Sequence, residues 1–292
     1  MQHALVTGSE GFIGSHLKEE LLKRRWSVTG FDFPLDVTKK DDWILSLKDV
    51  DIIFHLAGKL DHYDPTKCDL ASYINVNVKS IAVMFEAILE GKFPVKKIIV
   101  ASSQSVYGEG NYTSDNPVPQ HEVNTLKPIS IYGASKAAME DILFTLGRIY
   151  QIPIIALRYS IVLGAGQKFK DLDSRIIPAF VEMAKQGMIT THEDGKQSRD
   201  FVHIDDVTDA TIFCAEQNLQ GTFNVGSGEL TKVMEVAEYI ANKYKAAISK
   251  SGIKRINTAR HSPMSINRIQ AMGWKPKKTW KDAVNDYIKS EG

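Results

Sequence analysis

Short apolar runs alternate along the chain with longer stretches in which apolar residues recur every three or four positions. Residues 3–7 (HALVT) stop at Gly8 and predict a buried strand, and residues 12–25 carry Phe12, Ile13, Leu17, Leu21 and Leu22 on one helical stripe. The alternation continues with a strand over 28–33, a helix over 38–48 with Trp43, Ile44 and Leu47 on one side, and a strand over 51–57. A long helix is predicted over 69–90, a strand over 96–102, a second long helix over 132–150 and a strand over 153–160. Strands that are apolar throughout bury both faces, and strands separated by helices pair in parallel. The pattern therefore predicts an α/β fold built on a doubly wound parallel sheet.

The rhythm breaks after about residue 163. Residues 164–170 read as a loop, 174–187 as a helix and 192–200 as a polar turn region. Residues 201–204 (FVHI) read as a strand leading into a helix, and 222–225 (TFNV) as one more buried strand. The carboxylates Asp205 and Asp206 precede that apolar helix and read as its N-cap. Helical stretches at 232–247 and 279–289 complete the tail. The expected organisation is a sheet domain over 1–163, with returning segments at about 201–227, and a smaller C-terminal α/β lobe made of 164–200 and 228–292. The gap between the two would hold a substrate.

Composition narrows the function classes. Apolar residues are 43% and charged residues 24% of the 292, an ordinary globular balance that argues against disorder, collagen and coiled coil. With 36 basic and 35 acidic residues the net charge is +1, which leaves no electrostatic footprint for nucleic acid or an anionic membrane. Two cysteines far apart, Cys68 and Cys214, argue against a disulfide framework and fit a reducing compartment. His62, His121, His192 and His261 lack metal-ligand spacing, so no metal is expected. The N-terminus has no signal-peptide pattern, and no apolar run approaches the ~18 residues of a membrane helix, so the expected location is the cytoplasm.

The first candidate site is the turn after the first strand. Gly8, Gly11 and Gly14 give G-x-x-G-x-x-G between a predicted strand and a predicted helix. In that context one glycine makes the tight turn, one admits a pyrophosphate to the backbone, and one lets helix pack on strand. The helix N-terminus supplies free N–H groups and a positive dipole to the phosphates. Asp32 ends the second strand, where a carboxylate accepts bonds from the ribose hydroxyls and repels a 2′-phosphate, which favours NAD over NADP. Asp36 with Val37 borders the adenine in this reading, or else forms a turn.

The second is a Ser–Tyr–Lys set. Tyr132 and Lys136 are four apart in a predicted helix and share a face. A free tyrosine, with a pKa near ~10, is a poor base at neutral pH. A lysine ammonium beside it and the positive ring of an oxidised nicotinamide favour the phenolate; a shift of ~3 units corresponds to ~4 kcal/mol. The strand ending in Ser102 and Ser103 places hydroxyls at the ligand crevice of a doubly wound sheet, where one can hold the substrate oxygen that Tyr132 deprotonates.

The segments TGSEGFIG, DIIFHLAG, VASSQSVYG, YGASK, LRYSIVLGAGQ, DGKQSRDFVHIDDV, GTFNVGSG and GWKPKKTWKDAV occur in that order. Together they resemble the extended short-chain dehydrogenase/reductases, specifically the nucleotide-sugar epimerase/dehydratase family, over nearly the whole chain. The resemblance implies a Rossmann sheet that binds NAD. It implies cofactor contacts from Gly8, Gly11, Phe12, Ile13, Gly14, Asp32, Asp36, Val37, Leu56, Ala57 and Gly58. It makes Ser103 the catalytic hydroxyl, four residues before the Tyr-Gly pair, Tyr132 the acid/base, and Lys136 the residue that binds the nicotinamide ribose and tunes Tyr132. Asn77 takes a structural and solvent-organising place beside the cofactor, and Arg199 contacts the substrate diphosphate, a task suited to a bidentate guanidinium. By position alone, Arg199 equally reads as a surface ion-pair residue.

Departures from the family pattern refine the reading. Sugar 4,6-dehydratases carry Asp and Glu directly after the catalytic hydroxyl; here Gln104 and Ser105 stand there, on the substrate side. Without those carboxylates there is no obvious acid/base pair for eliminating water. Ile161 replaces an Asn that reaches the diphosphate in many relatives. The wording lies closest to dTDP-deoxysugar 4-epimerases, which implies an NAD-dependent 4-epimerase passing through a transient 4-keto sugar. The alternatives are an NAD(P)H-dependent 4-ketosugar reductase and a non-catalytic NAD(P)-binding regulator. The resemblance also implies a homodimer through a four-helix bundle of the two long helices. Arg260 and Arg268 each read as diphosphate ligands or as solvated surface, and His55 and His203 as structural histidines. Specificity is expected from the loops around 60–68, 104–125 and 164–200.

Overall fold

The computed structural model describes residues 2–60, 69–109, 112–113, 116–169, 175–253 and 259–291. Cys68 and His62 lie outside the described residues, with most of the 60–68 loop. Six strands form the central sheet: β1 (His3–Thr7), β2 (Ser27–Phe31), β3 (Ile52–His55), β4 (Lys97–Ser103), β5 (Ile154–Tyr159) and β6 (Gly221–Val225). Their order is β6-β5-β4-β3-β1-β2, and every neighbouring pair is parallel. Strands β3 and β5 are buried along their whole length, as their unbroken apolar runs require.

Alternate residues of each strand serve opposite faces of the sheet. Ala4, Val6, Ile52, Phe54, Ile99 and Leu157 point to one face, which is covered by α1 (Phe12–Lys23) through Leu17 and Leu21 and by the helix Ile204–Glu216 through Val207 and Ala210. Leu5, Ile53, Ile98, Val100, Ile154 and Ala156 point to the other, against Trp43, Met84, Phe85, Met139 and Leu143 of the opposing helices. A third cluster lies apart from these two. It joins Ile177 and Phe180 of the helix Ile176–Lys185 to Val236 and Ile240 of Val233–Tyr244 and to Val284 and Tyr287 of Trp280–Ser290. Within the expected C-terminal lobe, Ile266, Ile269 and Trp274 pack instead with the sheet's own cluster.

Three local features depart from the sequence expectation. The helix expected over 69–90 is interrupted by a π-helical turn, Asn75–Lys79, between Leu70–Ile74 and Ser80–Glu90. Asp205 and Asp206 do not cap the helix Ile204–Glu216. Its N-cap is His203, whose Nδ1 accepts the Asp205 N–H at 3.0 Å. Asp206 instead receives the backbone N–H groups of Lys277 and Lys278 at 3.0 and 2.9 Å, which ties the tail to this helix. Short strands that the sequence does not announce, Ser198–Arg199, Thr231–Lys232 and His261–Ser262, form a small separate sheet. Among the described residues no helix is long and apolar enough to cross a membrane.

Candidate active site

The strand order reverses between β1 and β3, and a ligand crevice forms outside the carboxyl ends of strands at such a point. Two turns flank it, Gly8–Gly14 after β1 and Leu56–Gly58 after β3. They meet closely. Gly8 has φ +68°, and a Cβ there would lie 2.9 Å from the Ala57 nitrogen. A Cβ on Gly14 would sit 1.9 Å from the Gly8 carbonyl oxygen, so the helix can start this near the strand only with glycine. The Gly11 N–H donates to the Gly8 carbonyl at 3.0 Å, closing the turn, and Phe12 and Ile13 open α1 directly after it.

Asp32 stands at the end of β2 and faces this turn. Its Oδ2 accepts the Glu10 N–H at 2.8 Å and its Oδ1 the Phe33 N–H at 2.8 Å. Each carboxylate oxygen keeps a further lone pair for a ribose hydroxyl. Asp36 accepts both the N–H and the hydroxyl of Thr38 at 2.8 Å, and these bonds, led by the backbone one, hold its carboxyl below the usual range. That is a turn-forming role; the neighbouring Val37 is buried beside Trp43. The glycine cradle and the strand-end carboxylate fit a dinucleotide with free ribose hydroxyls.

The helix Ile131–Tyr150 carries Tyr132 and Lys136 on one face. Ser130 caps it, accepting the Gly133 N–H at 3.1 Å. A Cβ on Gly133 would lie 2.4 Å from the Ser105 carbonyl oxygen, so the first turn is pressed against the Ser103–Ser105 corner after β4. That contact sets the residue after Tyr132 against the second residue after Ser103. The Ser103 hydroxyl donates to Ser105 Oγ at 3.1 Å and accepts the Ser105 N–H at 3.1 Å. Gln104 next to it keeps a buried Oε1 without a hydrogen-bond partner.

Lys136 is 3% exposed and donates from Nζ to the Ala101 carbonyl at 2.8 Å. Nζ lies 5.9 Å from the centre of the Tyr132 ring. Burial pushes the ammonium down to about 8, and the Glu140 carboxylate opposes that shift. A Cβ on Gly58 would come within 3.0 Å of Nζ, so glycine at this turn leaves room for the lysine. Asn77, in the π-helical turn, is fully buried; its Oδ1 accepts the Lys59 N–H at 2.7 Å and its Nδ2 donates to Ser135 Oγ at 2.8 Å. It clamps the turn after β3 to the helix that carries Lys136. Ser135 and Glu140 were not among the sequence candidates. The only sequence signal for Glu140 is its place one helical turn beyond Lys136.

Arg199 donates from Nη1 to the carbonyls of Ser198 and Arg260 at 2.9 and 2.8 Å, so the two arginines are neighbours. The Arg260 guanidinium meets Glu193 Oε2 at 3.0 Å and Asp194 Oδ2 at 2.8 Å. Arg268 lies over the Phe223 ring at 4.7 Å. His55 is structural: its ring bridges Thr7 Oγ1 at 2.9 Å and Ser80 Oγ at 3.2 Å. His203 caps a helix and reaches Asp286 at 3.2 Å. Among the described residues no three His, Cys, Asp or Glu side chains stand together as metal ligands.

Comparison with known proteins agrees with this geometry. A profile of the NAD dependent epimerase/dehydratase family matches residues 4–226. The chain is 29% identical to the dTDP-L-rhamnose 4-epimerase of Burkholderia thailandensis, over 93% of this chain and 90% of that one. It is 30% identical to the UDP-N-acetyl-alpha-D-glucosaminuronate decarboxylase of Bacillus cytotoxicus, over 82% and 79%. The crystal structure of Thermus thermophilus UDP-glucose 4-epimerase in complex with NAD superposes with a TM-score of 0.88 at 25% identity, covering 99% of this chain and 98% of that one. The chain belongs to the NAD-dependent epimerase/dehydratase family. It is an enzyme of the extended short-chain dehydrogenase/reductase type, and NAD is its cofactor.

Proposed function

We propose that the chain is a nucleotide-sugar 4-epimerase that keeps NAD bound and passes through a transient 4-keto sugar. The observation that carries this reading is the first turn of the helix that bears Tyr132 and Lys136, pressed through Gly133 on the Ser105 carbonyl, with Lys136 Nζ beside Gly58; Gln104 and Ser105 stand there as an amide and a hydroxyl where elimination of water needs carboxylates. Tyr132 takes the proton from the sugar O4 while Ser103 holds that oxygen, and the Lys136 ammonium favours the phenolate. NAD, held by the Gly8–Gly14 cradle and Asp32, would supply the hydride acceptor and donor at C4 that inversion through the 4-keto sugar needs. Tyr132 then gives the proton back to O4.

Arg199 and Arg260 are the proposed ligands of the substrate diphosphate, a task suited to a guanidinium, and Arg260 would exchange its bonds to Glu193 and Asp194 for the phosphates. Gln104 and Ser105, which follow Ser103 directly, are the proposed contacts to the sugar. The loops that bear specificity and the segments 164–200 and 228–292 form the substrate side. The working form is a cytoplasmic homodimer joined through the two long helices, whose exposed Leu70, Ile74, Ile142 and Ile149 support an apolar seam.

Replacing Asp32 with Ala is expected to weaken NAD binding ~10–100-fold, the range for a lost charged hydrogen bond. Titration of cofactor-stripped protein measures this, and an unchanged Kd would remove Asp32 from the cofactor site. The proposed function is tested by denaturing freshly purified protein and identifying what it releases. Near-stoichiometric NAD(H), followed by turnover of a dTDP- or UDP-sugar without added cofactor, is the expected result. Protein that is empty and consumes added NADPH or NADH with a 4-keto sugar would be a reductase. Protein that binds the cofactor and turns over no sugar would be a regulator.

A further inference from the structure

Asp32 is not the only carboxylate at the turn after β1. The Glu10 N–H donates to Asp32 Oδ2 at 2.8 Å, so Glu10 stands against the carboxylate read as the ribose ligand. Its side chain is held by a lysine: Glu10 Oε1 lies 2.5 Å from Lys18 Nζ and accepts the Ser9 hydroxyl at 3.4 Å. Ser9 packs toward β2, since a Cβ on Gly30 would stand 2.9 Å from its Oγ. Lys18 lies about two turns into α1. The ion pair therefore reaches back over the start of the helix to the β2 edge of the glycine cradle.

We propose that Glu10 and Lys18 share with Asp32 the discrimination between NAD and NADP: Glu10 masks a cation that would otherwise take a 2′-phosphate. Stability does not account for the pair. The Glu10 and Lys18 side chains are 66% and 32% exposed, and an exposed ion pair contributes little. Its place beside the ribose carboxylate does account for it. A 2′-phosphate brings nearly two negative charges to that place. There it meets the Asp32 and Glu10 carboxylates, and the Lys18 ammonium is already engaged. With the Glu10 charge removed, Lys18 is released, and an ammonium on a flexible four-carbon stem can follow a phosphate as a point charge. Asp32 therefore supplies only part of the preference for NAD, and Lys18 is a latent 2′-phosphate ligand.

The proposal rests on the reading of Asp32 as the ribose ligand, and its test needs no turnover. Holoenzyme carrying isotopically labelled NAD is equilibrated with increasing NADP, and the label that stays bound gives the ratio of the two dissociation constants. In Glu10→Gln the ratio is expected to move toward NADP by about tenfold, because a positive charge is uncovered. In Lys18→Met it is expected to move away from NADP by about threefold, because a negative charge is uncovered. In Glu10→Gln/Lys18→Met the two cancel, and the ratio is expected within about twofold of the unaltered protein. Each shift is expected to shrink as ionic strength rises, since the groups are exposed. Shifts of the same sign in the two single variants would report a damaged turn and overturn the proposal. An unchanged ratio in Glu10→Gln, with Asp32→Asn moving it toward NADP, overturns the proposal and leaves Asp32 at the ribose. A ratio unchanged in both Glu10→Gln and Asp32→Asn overturns the reading of Asp32 as well.

Discussion

Tyr132→Phe is expected to lower turnover about a thousandfold while the protein stays folded and keeps its NAD. General acid–base catalysis is worth ~10²–10⁴-fold, and a thousandfold is about 4 kcal/mol of barrier. The substitution removes one oxygen atom and leaves the ring, so the packing of the helix Ile131–Tyr150 on the Ser103–Ser105 corner is retained. The cradle at Gly8, Gly11 and Gly14 lies on other elements and is untouched. The measurement pairs steady-state rates with the amount of NAD released on denaturation. A variant within tenfold of the original rate would show that another group moves the O4 proton.

The second large effect is on stability at low pH. His55 is 1% exposed, and burial, helped by the Lys136 charge, lowers its pKa to about 3. In the unfolded chain the same imidazole titrates near ~6.5. The folded value lies below the unfolded one, so the contribution is fully present above about pH 6.5 and is lost as pH falls toward 3. In that window the unfolded chain binds one proton that the native protein does not. The cost is ~1.4 kcal/mol per pH unit, about 4–5 kcal/mol across the window. Denaturant unfolding between pH 6 and 4 reads it. His55→Gln is expected to flatten the dependence by one proton relative to the unaltered protein, and equal slopes in both would show that His55 is protonated in the native state.

Much of this arrangement is legible from the chain itself. The central strands are unbroken apolar runs such as 52–55, and the covering helices show their stripes, because each is long enough to express its period. The glycine turn and the Tyr132–Lys136 face are local in sequence, and each implies its own geometry. What the sequence hides is either too short or too distant. A two-residue strand such as Ser198–Arg199 has no period. The π-helical turn at Asn75–Lys79 lies inside a run whose apolar spacing reads as ordinary helix. Asp205 and Asp206 carry good capping side chains, yet His203 caps the helix because Asp206 is taken by the backbone of Lys277 and Lys278. The buried bonds Arg158–Glu140 and Tyr107–Asn224 join residues 18 and 117 positions apart, which no local pattern announces.

The most direct test of the account is the fate of the C4 hydrogen. The purified protein, given no free cofactor, is incubated with a nucleotide sugar deuterated at C4, and the product is examined by NMR. The account predicts the 4-epimer with deuterium still at C4 and no exchange with solvent, because the hydride leaves and returns within one closed site. A product whose C4 deuterium is washed out, or one formed only when NADH or NADPH is added and consumed, would contradict it.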